Sequence, residues 1–265
     1  MTPSEILKEG KLSEAISATN EAVKSAPKDL QHRWFLAELL VIAGDLDRAD
    51  KQLDTLLTLD PRTAVAATPI RQLIRAEAAR RQFFDEGRVP EFLDGIHEAA
   101  KVRLEAFVAL RAGDKSLAGS LVEKAEVARP SLSGKITLQG SQSSFEDIRD
   151  LDDITADVFE VLTYTGKYYW IEMSRVQLIE FVAPERPLDL IWRKARMVVR
   201  DTFDAEVHLP AVYGSQTGAD DASRLGRKTD WVGMDTEAVV GVGRRSFALN
   251  GENEVDIMAI ETLEF

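Results

Sequence analysis

The sequence predicts a multidomain chain of α and α+β class. A TPR-like α-helical repeat domain spans residues 1–130, and a smaller α+β domain spans residues 131–265. Two observations carry this. A cassette that opens with Gly and closes with Pro 17 residues later occurs three times, at Gly10–Pro27, Gly44–Pro61 and Gly113–Pro130. After Pro130 the helical periodicity gives way to short β-prone runs.

The spacing of the cassettes decides between repeat and coincidence. The first two start 34 residues apart and the third starts 69 beyond the second. A period of 34 is the length of one tetratricopeptide helix pair. Each cassette places Ala five residues after its Gly, at Ala15, Ala49 and Ala118, where a small side chain permits close helix approach. Gly tolerates positive φ and ends a helix, and Pro disfavours helix in the residue before it. A helical bundle with coincidental turns is the competing reading.

Taken in order, the spacing predicts helices over Pro3–Glu9, Leu12–Ser25, Leu30–Ala43 and Asp47–Leu59. A longer helix over Ala64–Glu86, with a break near Pro69, carries the basic residues Arg71, Arg75, Arg80 and Arg81. Glu91–Arg111 is read as the next helix, and the third cassette supplies the last. Repeat geometry turns Gln31, Trp34, Glu38, Val41 and Ile42 toward a concave side, with Arg103, Phe107 and Leu110 on the same side. Packing within the chain is the competing reading for Trp34 and Val41.

In the second half, strands are predicted at Lys135–Gln139, Val158–Thr163, Tyr168–Ile171, Arg196–Val199, Glu206–Leu209, Glu237–Gly241 and Val255–Leu263. Tyr164-Thr165-Gly166-Lys167 reads as a hairpin turn. Short helices are expected at Arg175–Phe181 and Leu188–Trp192. Gly214–Arg224 reads as a mobile loop.

Composition narrows the function. The net charge of −12 is uneven: residues 1–130 hold 19 Lys+Arg against 21 Asp+Glu, and residues 131–265 hold 14 against 24. Such a chain repels phosphate backbones and anionic membranes, so nucleic acid and membrane partners are not expected. There is no cysteine, which removes disulfides and thiolate chemistry. The N-terminal residues lack a signal-peptide pattern, and a cytoplasmic location is expected.

Catalytic motifs are weak. His32, His97 and His208 lie in different elements, and no metal or other cofactor is implied. Asp147, Asp150, Asp152 and Asp153 form an acidic cluster that reads as a solvated loop or helix cap, with calcium binding as the alternative. Ser215 lacks the second Gly of a nucleophile elbow. The sequence therefore favours an interaction protein over an enzyme. The competing class is a hydrolase in the acidic domain using Asp189 or Asp230, and a further alternative is a general repeat scaffold.

A series of motifs in the second half resembles the ImpE/SciE family. These are Gly166-Lys167-Tyr168-Tyr169-Trp170-Ile171, Pro187-Leu188-Asp189-Leu190-Ile191-Trp192-Arg193 and Leu209-Pro210-Ala211-Val212-Tyr213-Gly214-Ser215. Leu225-Gly226-Arg227-Lys228-Thr229-Asp230-Trp231, Gly241-Val242-Gly243-Arg244-Arg245 and Glu261-Thr262-Leu263-Glu264-Phe265 complete the order. Arg244-Arg245 departs from the Gln-Arg of the family pattern. The resemblance implies an accessory component of the type VI secretion machine. It further implies an adaptor that binds the N-terminal helix of the small sheath subunit, TssB, and is linked to sheath recycling by the ClpV ATPase. Helix-in-groove recognition is the expected mode. Trp34, Val41 and Phe107 are the candidate anchors, with Glu38 beside them and Arg71, Arg75 and Arg103 reading charge around them. The alternative surface lies in the acidic domain, around Tyr169, Trp192 and Trp231.

Overall fold

The computed structural model describes residues 1–93, 95–214, 219–233 and 238–265. Seven helices come first: α1 (Pro3–Lys8), α2 (Leu12–Ser25), α3 (Leu30–Ala43), α4 (Leu46–Leu59), α5 (Ala64–Glu86), α6 (Glu98–Arg111) and α7 (Lys115–Ala128). Their ends follow local chemistry. Thr2 and Glu5 form a capping box at α1, with Pro3 in the first turn. Asp29, Asp45 and Asp114 each accept a backbone N–H at the start of α3, α4 and α7.

The cassette glycines close the helices in a way the sequence hides. Gly44 ends α3 at φ +89°, where a Cβ is disfavoured. Its missing side chain leaves room for Arg81, which donates to the Gly44 carbonyl at 2.9 Å. Arg224, from the far half of the chain, donates to the neighbouring Ala43 carbonyl at 2.9 Å. Arg227 covers Gly10 likewise and donates to the Leu7 and Lys8 carbonyls at 3.0 and 2.8 Å. Guanidiniums at carbonyl-rich helix ends satisfy orphan acceptors and complement the dipole.

The strands begin at Gly134: β1 (Gly134–Leu138), β2 (Ser141–Phe145), β3 (Ile148–Asp150), β4 (Val158–Leu162), β5 (Tyr168–Glu172), β6 (Val176–Phe181), β7 (Trp192–Val199) and β8 (Phe203–Pro210). A short helix α8 (Asp221–Arg224) follows. Then come β9 (Thr229–Val232), β10 (Val240–Gly243), β11 (Ser246–Leu249), β12 (Asn253–Asp256) and β13 (Ile260–Glu264). Eight strands form one antiparallel sheet in the order β2-β1-β13-β6-β7-β8-β4-β5. A three-stranded sheet, β12-β11-β3, and a two-stranded one, β10-β9, complete the half. Helical repeats followed by a mostly antiparallel α+β half agree with the predicted class.

Several elements differ from the sequence reading. The described residues between 91 and 97 are not helical; Glu91 instead bridges the edge strand β5, with its N–H donating to Tyr168 O at 3.0 Å and its carbonyl accepting from Trp170 N at 3.0 Å. Val176–Phe181 is a strand, because the apolar residues there are hydrogen-bonded on both sides, by β13 and β7. Pro187–Leu190 is a 3₁₀ turn and Trp192 already belongs to β7. α5 runs unbroken through Pro69. β2, β3, β9 and β11 fell outside the predicted runs. The loop expectation at Gly214–Arg224 covers α8 and residues 215–218; the latter, Ser215 among them, lie outside the described residues, as does Glu237.

Two apolar clusters organise the fold. One joins Leu36, Leu40, Ile74 and Phe83 of the helices to Trp170, Trp192 and Leu225 of the second half. The other fills the second half with Ile136, Phe159, Met197, Phe247 and Val255. Across the seam between the halves runs a buried ionic network. Arg80 of α5 donates twice to Glu160 of β4, at 2.9 and 3.0 Å, and once to Val212 O at 2.9 Å. Glu160 also pairs with Arg245, which holds Asp150 at 2.8 Å, and accepts from Tyr168 Oη at 2.5 Å. Burial opposes the charge on Glu160, but Arg80 and Arg245 outweigh it and bring its pKa down to about 2.

Breaking one partner of a buried pair leaves an uncompensated charge, so Arg80→Met is expected to cost about 3–5 kcal/mol. Arg62→Met, at an exposed pair with Asp60, is expected to leave the unfolding midpoint nearly unchanged. Urea unfolding of both variants checks this; equal midpoints would show that the seam contributes no more than a surface contact.

Candidate partner-binding surface

The side that repeat geometry makes concave is covered by the chain's own second half. α3 packs against the 3₁₀ turn at Pro187–Leu190 and against α8. Val41 is buried at 0% exposure and Phe107 at 7%, its ring stacked 4.3 Å from Phe83. Arg103 is fully buried and donates to Asp157 at 2.7 Å and to Glu126 at 3.0 Å. These three side chains face the protein interior. Glu38 is buried too, and accepts from Trp34 Nε1 at 3.3 Å.

Trp34 is half-buried and Arg75 is exposed, with Gln72 as its hydrogen-bond partner at 3.2 Å. Arg71 is held by Asp50 at 2.6 and 2.8 Å and by Asp54 at 2.9 Å. The basic stretch of α5 is thus largely neutralised within the chain. In the second half, Trp192 is buried against Glu77, while Tyr169 and Trp231 are half-buried. Asp189 accepts the Glu185 and Arg186 N–H groups, and Asp230 pairs with Lys228 at 2.7 Å.

An open cleft of about 680 Å³ lies where the end of α7 meets the two small sheets. Leu151, Trp231, Val239 and Ala248 supply its apolar lining. Glu126, Arg129, Asp147, Arg149, Asp153 and Glu254 supply its charge. The run from Asp147 through β3 into the bends at Leu151–Asp153 explains how an acidic cluster serves both core and surface. Successive residues of β3 point to opposite faces, and Asp150 and Asp152 turn inward to accept the Asp152 and Ile154 N–H groups of the bends. Asp147, Arg149, Leu151 and Asp153 line the cleft, while Ile148, Asp150 and Asp152 are buried at 0%, 0% and 3% exposure. A solvated loop or cap fits the cleft-facing Asp147 and Asp153 but not the buried Asp150 and Asp152, and hydropathy does not announce the difference, since the apolar Leu151 faces the cleft.

The buried members are hydrogen-bonded rather than solvated. Asp150 accepts from Tyr213 Oη at 2.9 Å and Asp152 from Gly241 N at 2.9 Å. Burial, together with the neighbouring Asp150, pushes the Asp152 pKa up to about 7. In the cleft, Arg129 grips Asp147 at 2.7 and 2.9 Å and Glu126 at 2.8 Å. Hydrogen bonds from Arg129 hold the Asp147 carboxyl below its ordinary range, against burial. Arg149 reaches Asp153 at 2.6 Å and Glu126 at 3.4 Å. Trp231 sits on β9 with its ring 5.6 Å from that of Tyr213.

The chain thus joins helical repeats to a mostly antiparallel sheet, with an open, partly aromatic cleft beside them. The comparisons place it. Residues 142–264 match the family described as ImpE protein. Over the whole chain it is 30% identical to the type VI secretion system accessory component TagJ of Pseudomonas aeruginosa, covering 91% of that protein. The chain belongs to this ImpE family. The crystal structure of protein VPA1032 from Vibrio parahaemolyticus has the same fold, with a TM-score of 0.90 and 28% identity over 99% of this chain and 96% of that one.

Glu38 yields a pH-dependent prediction. Burial raises its pKa to about 7, with Arg186 and the Trp34 hydrogen bond acting against the rise. Its folded pKa thus lies above the unfolded value, so the folded state binds the proton more tightly, and stability falls as pH rises from about 4.5 to about 7. Glu38→Gln keeps an acceptor for Trp34 and cannot ionise. It is expected to match the wild type near pH 4 and to exceed it at pH 8 by up to about 3 kcal/mol. Denaturation at both pH values checks this; a pH-independent difference would show that Glu38 does not titrate in this range.

Proposed function

We propose that this chain is a non-catalytic, cytoplasmic adaptor of the type VI secretion system. It binds the amphipathic N-terminal helix of the small sheath subunit TssB and through it serves sheath recycling by ClpV. The observation that carries the accessory role is the full-length match to TagJ. The geometry supports binding rather than chemistry, since the charged groups of the cleft are mostly paired with one another and surround apolar surface.

The cleft beside Trp231 is the proposed seat of the helix. It offers an aromatic anchor, an apolar lining and a polar rim, the anatomy of an interface hot spot. In this reading residues 1–130 form the repeat domain and residues 131–265 the α+β domain, with the end of α7 closing one side of the cleft. Trp34, Arg71 and Arg75 form a second accessible face, on the α3–α5 side. Val41 and Glu38 are buried on α3 and Phe107 is stacked on Phe83 of α5, whereas Arg103 is held by Glu126, Asp157 and the Asp153 carbonyl on the cleft side.

Titration of the full chain with a peptide of the sheath subunit's N-terminal helix tests both surfaces. Trp231→Ala is expected to weaken binding by about 2 kcal/mol, or roughly 30-fold. Trp34→Ala with Arg75→Ala is expected to change it less than about threefold. The reverse pattern would move the site to the helical face, and no binding to the wild type would overturn the adaptor reading.

A further inference from the structure

The charged groups of the cleft are not balanced in what they have left to offer. Arg129 donates through Nε to Glu126, through one terminal nitrogen to Asp147 and the Ile148 carbonyl, and through the other to Asp147 again. Arg149 donates to the Asp150 carbonyl, to Glu126 and to Asp153. Every nitrogen of both guanidiniums is therefore engaged within the chain. The carboxylates outnumber them by four to two. A carboxylate has about four acceptor sites; Asp147 also accepts from Leu132 N at 3.3 Å and Asp153 from Val239 N at 2.7 Å, so Asp153 keeps more free capacity than Asp147.

The Glu254 carboxylate has no hydrogen-bond or ion-pair partner among the described residues. It stands on β12, the edge of the three-stranded sheet, directly across from Ala248 in the cleft lining. Glu252 precedes it in the turn and is also exposed. The second half of the chain, which supplies most of the cleft, carries 24 acidic residues against 14 basic ones. Spare acceptors, engaged donors and a surrounding negative field all favour a cationic, donor-rich occupant.

We infer that the cleft selects an amphipathic helix whose apolar face is flanked by Lys or Arg, with Glu254 as the residue that reads this charge. The inference rests on the cleft as the helix seat and reverses the polarity expected from the sequence, in which a basic rim would read an acidic partner. Two of the three arginines assigned to that rim are neutralised, Arg71 by Asp50 and Asp54 and Arg103 by Asp157 and Glu126, while Arg75 is exposed and bonded to the neutral Gln72.

The test uses the full chain and two designed amphipathic peptides with the same apolar face, one flanked by Lys and one by Glu. Binding is followed by fluorescence anisotropy at two salt concentrations. The Lys peptide is expected to bind at least about tenfold tighter than the Glu peptide at low salt, with the gap narrowing as salt screens the rim. Glu254→Lys is expected to weaken the Lys peptide about fivefold or more. Glu21→Lys, the same charge change on an exposed position of α2, is expected to weaken it less than about twofold, which separates the rim from the net charge. Equal effects of the two variants, or equal affinity for the two peptides, would overturn the inference while leaving the helix seat intact. Loss of the sheath peptide's binding in Trp231→Ala is the separate measure of the seat, and binding of neither designed peptide would remove both.

Discussion

The fold depends on Arg80. Its guanidinium leaves a helix of the repeat half and ends on a strand carboxylate, Glu160, and on a loop carbonyl, Val212, both in the other half. Desolvating these charges is unfavourable, and the interior tolerates them only because each is hydrogen-bonded several times. Tyr168, Trp170 and Arg245 complete that satisfaction, with Trp170 Nε1 donating to Tyr168 Oη at 2.6 Å. Such a network accepts few alternative geometries. It sets where the helical layer sits on the sheet, and thereby places α7 against the small sheets that border the cleft.

The helical half was largely legible because its rules are local. Gly, Ala and Pro at fixed offsets mark turns and close approaches, and the helices they predict match to within a residue or two, apart from the stretch before α6. That stretch shows the limit. Glu91 joins β5 as a bridge because an edge strand in another half of the chain needs a partner, and no local pattern records that need. The same holds for β6, whose apolar run suits either helix or strand until its two neighbours are known.

The candidate site was less legible. Choosing Trp34, Val41 and Phe107 assumed that the concave side of the repeats is open, as in a free-standing array. Here the chain fills that side with its own strands and turns. Trp231 stood among the alternative aromatics, but its setting comes from residues spread between Glu126 and Glu254, which only tertiary folding brings together. The Asp147–Asp153 run was visible as an acidic cluster. Its division into core and cleft residues comes from the alternation of β3 and the bends that follow it, and it runs against hydropathy, with Leu151 in the cleft and Asp150 and Asp152 in the core.

The guanidiniums that cover the first helices arrive late. Arg224 and Arg227 reach Ala43, Leu7 and Lys8 across separations of 181, 220 and 219 residues. During synthesis the Leu7, Lys8 and Ala43 carbonyls therefore lack these donors until residues 224–227 have been made. A fragment ending at residue 130 would lack them permanently and would leave Arg80 without Glu160. The order in which the ribosome delivers the chain thus sets the order in which it can close: the repeats are made first and sealed last.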